Sequence, residues 1–310
     1  MQQPLFFMDF FGMLRAVTVF DKNSMRSLLL LSLLCALVWP AQAAHRSGAS
    51  AVAGTPRLAS AIALIYDQQE GKTLFAKNAR EVVPIASITK LMTAMVVLDA
   101  RLPLDEPITI TAQDHDHYKR TRSRMHTGMT LTRGELLKLA LMASENTAAA
   151  ALARTYPGGT AVMLAAMNAK ARELGMRDTR FDDPTGLHSS NVSTAHDLVK
   201  MVQAAQQYEV IQRCSTSRTH EVQVSPRRTL RFVNTNPLVR NGSWDIGLSK
   251  TGYISEAGRC LVMQAKISNR PVVIVLLDSW GRHTRVGDAN RIKRWMESAN
   301  AHGGHGMRRG

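Results

Sequence analysis

Residues 271–279 read PVVIVLLDS, nearly apolar from end to end, as a strand at the centre of a sheet would be. The runs TLRFVNTN, IGLSKTGYI and CLVMQAKI make the chain strand-like from residue 218 onward, until ANRIKRWMESA closes it as a helix. At the other end, ASAIALIYDQQEGKTLFAKNA holds two alternating runs about a turn at Gly71, a hairpin signal. Helical spacing fills the middle. An apolar stripe of Leu91, Met92, Met95, Val96 and Leu98 begins just past Ser87, and TRGELLKLALMA has Thr132 and Glu135 at capping-box spacing. After a break at Ser144-Glu145-Asn146 comes TAAAALARTY. Further helices are predicted over 160–174, stopped at Gly175, and over about 194–207, started by Ser193 or Thr194. Strands at both ends with helices between predict an α+β body. Its antiparallel sheet is assembled from both ends of the domain beside an all-helical region.

The first residues call for a separate reading. Met25-Arg26, then SLLLLSLLCALVW and PAQAA, describe a secretory signal over 1–43, cut before Ala44; residues 1–24 are an extension, or the start is Met25. As a membrane anchor the apolar run is shorter than the ~20 residues a spanning helix needs, and Pro40 ends it. Leu34 ahead of Cys35 speaks against a lipoprotein site. The small, polar residues 44–58 read as a linker, 59–299 as the folded domain and 300–310 as a disordered tail.

A formal net charge of +15 invites nucleic acid as a partner, but the positive charges are scattered and no stretch interleaves basic with aromatic residues. An exported basic protein instead meets anionic envelope polymers or membrane surfaces. Cys214 and Cys260 are open to pairing after export or to separate burial, and no C-x-x-C supports cysteine-bound zinc. His115-Asp116-His117 reads as a solvated loop and not as a metal site, and the neighbouring YKRTRSRMHTG either as charged surface or as a guide for anionic glycan and peptide carboxylates towards the cleft. No cofactor or metal is expected. Met142, Met163, Met167 and Met201 fall at helical core positions.

Three short motifs carry chemistry. Ser87 lies three residues ahead of Lys90, the only S-x-x-K in the chain, at a helix start where the dipole and free N–H groups are at hand. A serine hydroxyl needs a base, and a lysine serves as one when burial or a second cation lowers its pKa. Lys250 is available as that cation. Lys250-Thr251-Gly252 sits in a strand, where lysine and hydroxyl suit a carboxylate and the glycine lets a substrate backbone lie close. Ser144-Glu145-Asn146 occupies the break between helices; S-x-N recurs at Ser189-Ser190-Asn191 and Ser298-Ala299-Asn300 and discriminates nothing alone.

In this order, across helix, interhelical loop and strand, the motifs make the signature of penicillin-binding proteins and serine β-lactamases. From about Ala59 to Ser298 the chain resembles the low-molecular-mass penicillin-binding proteins of the D-alanyl-D-alanine endopeptidase type. The segments that carry this are ASITKLMTAMVVLDA, LLKLALMASENTAAAALA, LGMRDTRFDDPTGL, SKTGYISEAGRCLVM and GDANRIKRWME. The resemblance implies a β-lactamase/transpeptidase-like fold and an acyl-serine mechanism. Ser87 is then the nucleophile, Lys90 its proton acceptor and Ser144, chosen over Ser189 on the family's pattern, a proton relay. Asn146 shares the Ser144 wall, Lys250, Thr251 and Gly252 bind substrate, and the backbone N–H groups of Ser87 and Tyr253 form the oxyanion hole.

It also implies a periplasmic location, peptidoglycan cross-links as substrate and β-lactams as covalent inhibitors. None of Glu173, Glu209 or Glu221 has an asparagine four residues on, so the deacylating E-x-x-x-N of class A β-lactamases is missing and slow release of β-lactams is expected. About a dozen residues follow Trp295-Met296-Glu297, too few for the β-domain and amphipathic helix usual in the carboxypeptidases. The expectation is a soluble endopeptidase cutting D-alanyl-diaminopimelate bonds. D-alanyl-D-alanine carboxypeptidase is the alternative within the class, and a non-catalytic penicillin-binding sensor or scaffold the alternative outside it.

Overall fold

The structure, a computed structural model, describes residues 54–225 and 227–303. The expected signal segment, linker residues 44–53 and tail residues 304–310 lie outside the described residues. In chain order the strands are β1 (Ile62–Asp67), β2 (Lys72–Lys77), β3 (Val83–Pro84), β4 (Pro107–Thr109), β5 (Thr130–Thr132), β6 (Val192–Ser193), β7 (Thr219–Ser225), β8 (Arg228–Val233), β9 (Asp245–Ile254), β10 (Gly258–Ile267) and β11 (Arg270–Ser279). The α-helices are α1 (Lys90–Asp99), α2 (Arg133–Lys138), α3 (Asn146–Arg154), α4 (Gly159–Glu173), α5 (Ala195–Ala205), α6 (Glu209–Thr216), α7 (Pro237–Asn241) and α8 (Thr284–Gly303).

The main sheet has the order β2-β1-β11-β10-β9, antiparallel throughout, so the N-terminal hairpin pairs with a C-terminal meander. The apolar run at 271–279 is β11, its central strand. Period-two alternation sends Val273, Val275 and Leu277 into one core with the helical region, and Val272, Ile274 and Leu276 into a second core with Ala289, Ile292 and Met296 of α8. Both faces being covered, every position but the last few had to be apolar. The edge strand β9, carrying Lys250-Thr251-Gly252, is left to face the helical region.

Local signals set several boundaries. Thr132 caps α2, accepting from the Glu135 N–H at 3.2 Å while Glu135 accepts from the Thr132 N–H at 2.8 Å. Thr194 caps α5, accepting from the Asp197 N–H at 3.2 Å. Other expectations need correction. The helix read from TRGELLKLALMA leaves α geometry after Lys138 for a π turn over Leu139–Ala143, ending at Ser144 with φ +60°. The TLRFVNTN strand pairs only with β7 in a hairpin of its own. Helix α6 gave no sequence signal, because its eight residues hold only Ile211, Cys214 and Ser215 inward. Helix α8 runs to Gly303, past the boundary placed at 299.

Cys214 and Cys260 are separate buried thiols, which resolves the open alternative against pairing. Burial raises both, Cys260 to about 12, so neither is a thiolate at neutral pH.

Candidate active site

Ser87 lies in a tight 3-10 turn, Ala86–Thr89, that leads into α1, with Ala86 held at φ +47°. Glycines press on this turn from two sides. A Cβ on Gly252 of β9 would stand 3.0 Å from the Ala86 Cβ, the Ile85 carbonyl oxygen and the Ser87 nitrogen; one on Gly186, at φ +81°, would be driven into the Ala86 carbonyl. The edge strand and the 183–188 loop can therefore approach the Ser87 backbone as closely as they do.

That loop is built on two side chains. The Asp183 carboxylate accepts N–H bonds from Thr185 (2.6 Å), Gly186 (2.8 Å) and His188 (2.9 Å). The Asn191 amide accepts from the Asp182 and Asp183 N–H groups and donates to Thr89 Oγ1 at 3.0 Å, tying the loop to the Ser87 turn. The Ser189-Ser190-Asn191 repeat of S-x-N is therefore structural: its asparagine is wholly buried as a strut.

The loop delivers the carbonyl of Thr185 to Lys90. Lys90 is 0% exposed, and its Nζ reaches Ser87 Oγ at 2.8 Å, Asn146 Oδ1 at 2.7 Å and Thr185 O at 2.6 Å. Burial brings its pKa down to about 7, against the opposing pull of the Asp183 and Glu145 carboxylates. Two of its three partners are carbonyl oxygens, which can only accept. A neutral amine has two N–H groups and one lone pair; with both N–H groups held by carbonyls, the lone pair is left for the Ser87 hydroxyl. The trio of partners thus leaves the Lys90 lone pair facing Ser87 Oγ.

Across the cleft, Lys250 Nζ donates to Ser144 Oγ at 2.8 Å and to the Thr251 carbonyl at 2.8 Å. Burial, then the charges of Lys90 and Arg285, hold its pKa well below the ordinary lysine value. The left-handed Ser144 backbone after the π turn is what aims this hydroxyl off the helix end. Thr251 Oγ1 donates to Thr235 Oγ1 at 2.6 Å, and Asn146 Nδ2 to Thr121 Oγ1 at 2.9 Å.

Ser87, Ser144, Asn146, Thr251, Gly252 and Tyr253 share an open cleft of about 610 Å³, with Lys90 and Lys250 set behind its walls. All eight residues singled out in the sequence come together. Those it missed are Thr185, Asp183 and Gly186, in a DDPTGL stretch that carried the resemblance but was given no role in the site, and Thr235 and Arg285, which no motif marked. Arg285 also lines the cleft and donates to the carbonyls of Gly252 and Cys260, both at 3.1 Å.

His115 is hydrogen-bonded to Thr127 Oγ1 and His117 to the Ala112 carbonyl, while the Asp116 carboxylate accepts three backbone N–H groups. Among the described residues no group of His, Cys, Asp or Glu is placed to hold a metal ion. None of the helices among them is long and apolar enough to cross a membrane.

Comparison with known proteins identifies the family and the fold. The family model of peptidase S11, D-alanyl-D-alanine carboxypeptidase, matches residues 49–281. A D-alanyl-D-alanine endopeptidase of Pseudomonas aeruginosa is 49% identical over 250 residues, covering 79% of this chain and 81% of the relative. One from Escherichia coli is 46% identical over 273 residues, 88% of each. The crystal structure of the Streptomyces K15 DD-transpeptidase superposes with a TM-score of 0.73 at 28% identity, covering 80% of this chain and 99% of that one. On the α+β fold, the family match and these relatives, the chain belongs to the peptidase S11 family of D-alanyl-D-alanine peptidases.

Proposed function

We propose that this serine DD-peptidase is an endopeptidase that hydrolyses the D-alanyl-diaminopimelate cross-links of peptidoglycan through an acyl ester on Ser87. The observation that carries it is Ser87 Oγ held 2.8 Å from a buried Lys90 whose pKa is about 7 and whose other two partners are carbonyls. Relatives with endopeptidase names at 46% and 49% identity support the choice of bond.

Ser87 Oγ attacks the D-alanine carbonyl carbon as its proton passes to Lys90 Nζ. The oxyanion that forms is held by the Ser87 and Tyr253 N–H groups, where Gly252 lets the strand close on the turn. The C–N bond breaks as the proton taken up by Lys90 passes through Ser144, which Lys250 holds, to the leaving amine. Asn146 steadies the substrate amide, and Lys250 with Thr251 faces the leaving peptide. Water then attacks the ester and restores Ser87. The steps use the chain's own side chains and backbone N–H groups together with water. A β-lactam, whose strained amide mimics the substrate bond, acylates Ser87 in the same way. The protein acts in the periplasm: residues 1–43 direct export, and the catalytic domain runs from 59 to the end of α8 at Gly303.

Two measurements test the reading. Mature protein incubated with purified cross-linked muropeptide dimers is expected to yield monomers, followed by mass spectrometry. Loss of only a terminal D-alanine would make it a carboxypeptidase, and intact dimers beside stable penicillin labelling would leave a sensor. The second measurement is the pH dependence of acylation. Since Lys90 works deprotonated and its pKa is lowered to about 7, the penicillin-labelling rate should rise with pH through that value and level off above it. A limb near the ordinary lysine pKa would contradict its role as base.

A further inference from the structure

Trp280 is 88% exposed where β11 ends, although a tryptophan in that position gains nothing from the fold it belongs to. Its surroundings connect it to the cleft. Register places Tyr253, Arg259 and Ser279 in one row across β9, β10 and β11, a span of roughly 10 Å, with Trp280 next along the chain. The Arg259 guanidinium lies 4.5 Å over the Tyr253 ring, and Tyr253 is itself 57% exposed on the cleft wall. Arg282 is exposed two residues beyond Trp280, and Arg285 follows at the start of α8. Among the described residues none of these three arginines has a carboxylate partner. Arg259 stacks on a ring, which leaves its N–H edge for a ligand, whereas Arg285 is held by backbone carbonyls.

We propose that this ridge of Tyr253, Arg259, Trp280 and Arg282 binds the acceptor strand of peptidoglycan, its sugars on the aromatic rings and its carboxylates on the arginines. The inference rests on the endopeptidase reading for the identity of the polymer. It adds a binding surface continuous with the cleft. An indole or phenol ring offers a flat apolar face to the C–H face of a hexopyranose, and a guanidinium forks onto a carboxylate. Both rings and cations stand at this end of the sheet, and peptidoglycan offers both sugars and acidic stem peptides. A net charge of +15 supplies the long-range attraction towards that anionic wall. A cross-link cutter gains from such a surface because its substrate is insoluble and the bond is a small part of it.

The test is co-sedimentation with isolated peptidoglycan sacculi, using Trp280→Ala and Arg259→Gln, each placed on a Ser87→Ala background so that the polymer survives. In parallel, the same substitutions with Ser87 intact are scored for their rate of penicillin labelling, which needs the cleft but not the ridge. The expected result is a loss of sacculus affinity of about fivefold or more in each variant with labelling unchanged. Wild-type affinity in both would assign the ridge to another occupant, a partner protein included, and overturn the inference. So would a labelling rate that falls in step with affinity, since the defect would then be in the cleft. Failure of the wild type to open muropeptide dimers would count against the endopeptidase reading alone, because sacculus binding is scored without turnover.

Discussion

Ser87→Ala is expected to abolish covalent penicillin labelling and to lower dimer hydrolysis by about 10⁴-fold or more, leaving only what binding and the oxyanion site supply. The fold should survive. The Ser87 side chain is almost buried, at 9% exposure, yet it gives up a single hydrogen bond, and the Lys90 amine retains the carbonyls of Asn146 and Thr185. A loss of about 1 kcal/mol in stability is the expected scale. Lys90→Ala should reduce acylation nearly as much, and the double variant should be little worse than either single one, because nucleophile and base act as a unit. Intact-mass spectrometry with a penicillin, beside a thermal melt, separates lost chemistry from lost structure. Hydrolysis near the wild-type rate in Ser87→Ala would remove Ser87 from the mechanism.

Gly186→Ala should be the most damaging change outside the reacting groups. Its Cβ would be driven into the carbonyl carbon and oxygen of Ala86, backbone atoms that cannot step aside, and would stand 2.9 Å from the Ser87 nitrogen. The left-handed φ of +81° adds its own penalty of about 1–2 kcal/mol to an overpacking cost of similar size. The loop can relieve the clash only by withdrawing, and Thr185 O would leave Lys90 with it. The expected outcome is a loss of about 3 kcal/mol in stability together with a fall in acylation rate of at least about tenfold. Gly175→Ala is the control: the backbone is left-handed there too, at φ +69°, but its Cβ meets nothing within 4 Å. Chemical denaturation and penicillin labelling of the two variants should therefore diverge. Equal behaviour would mean that Gly186 serves only its own backbone angle.

Much of this was legible because it is local. The hairpin about Gly71, the Thr132 and Glu135 cap and the unbroken apolar run of β11 each follow from a handful of neighbouring residues and a periodicity. What misled was equally local. LALMA scores as plain helix, and nothing within it says that the backbone widens to a π turn so that Ser144 can point at Lys250. The DDPTGL stretch looks like a turn and is one, but its use lies 95 residues away in sequence, where Thr185 O meets Lys90. Arg285 sits in a segment with no motif, and its place on the cleft wall depends on how α8 packs on β10 and β11, from where its side chain reaches the Gly252 carbonyl of β9.

The sequence by itself determined the candidate reacting groups and the layers. Side-chain chemistry limits which residues can attack, accept a proton or bind a carboxylate, and a period of two or 3.6 residues dictates which faces are buried. The tertiary structure alone decided the state of those groups. A lysine's pKa, the direction of its lone pair and the identity of its carbonyl partners depend on burial and on contacts between distant segments, here the Ser87 turn, the 183–188 loop, the start of α3 and the edge of β9. No single stretch of chain encodes those contacts, because desolvation and electrostatic coupling act through space.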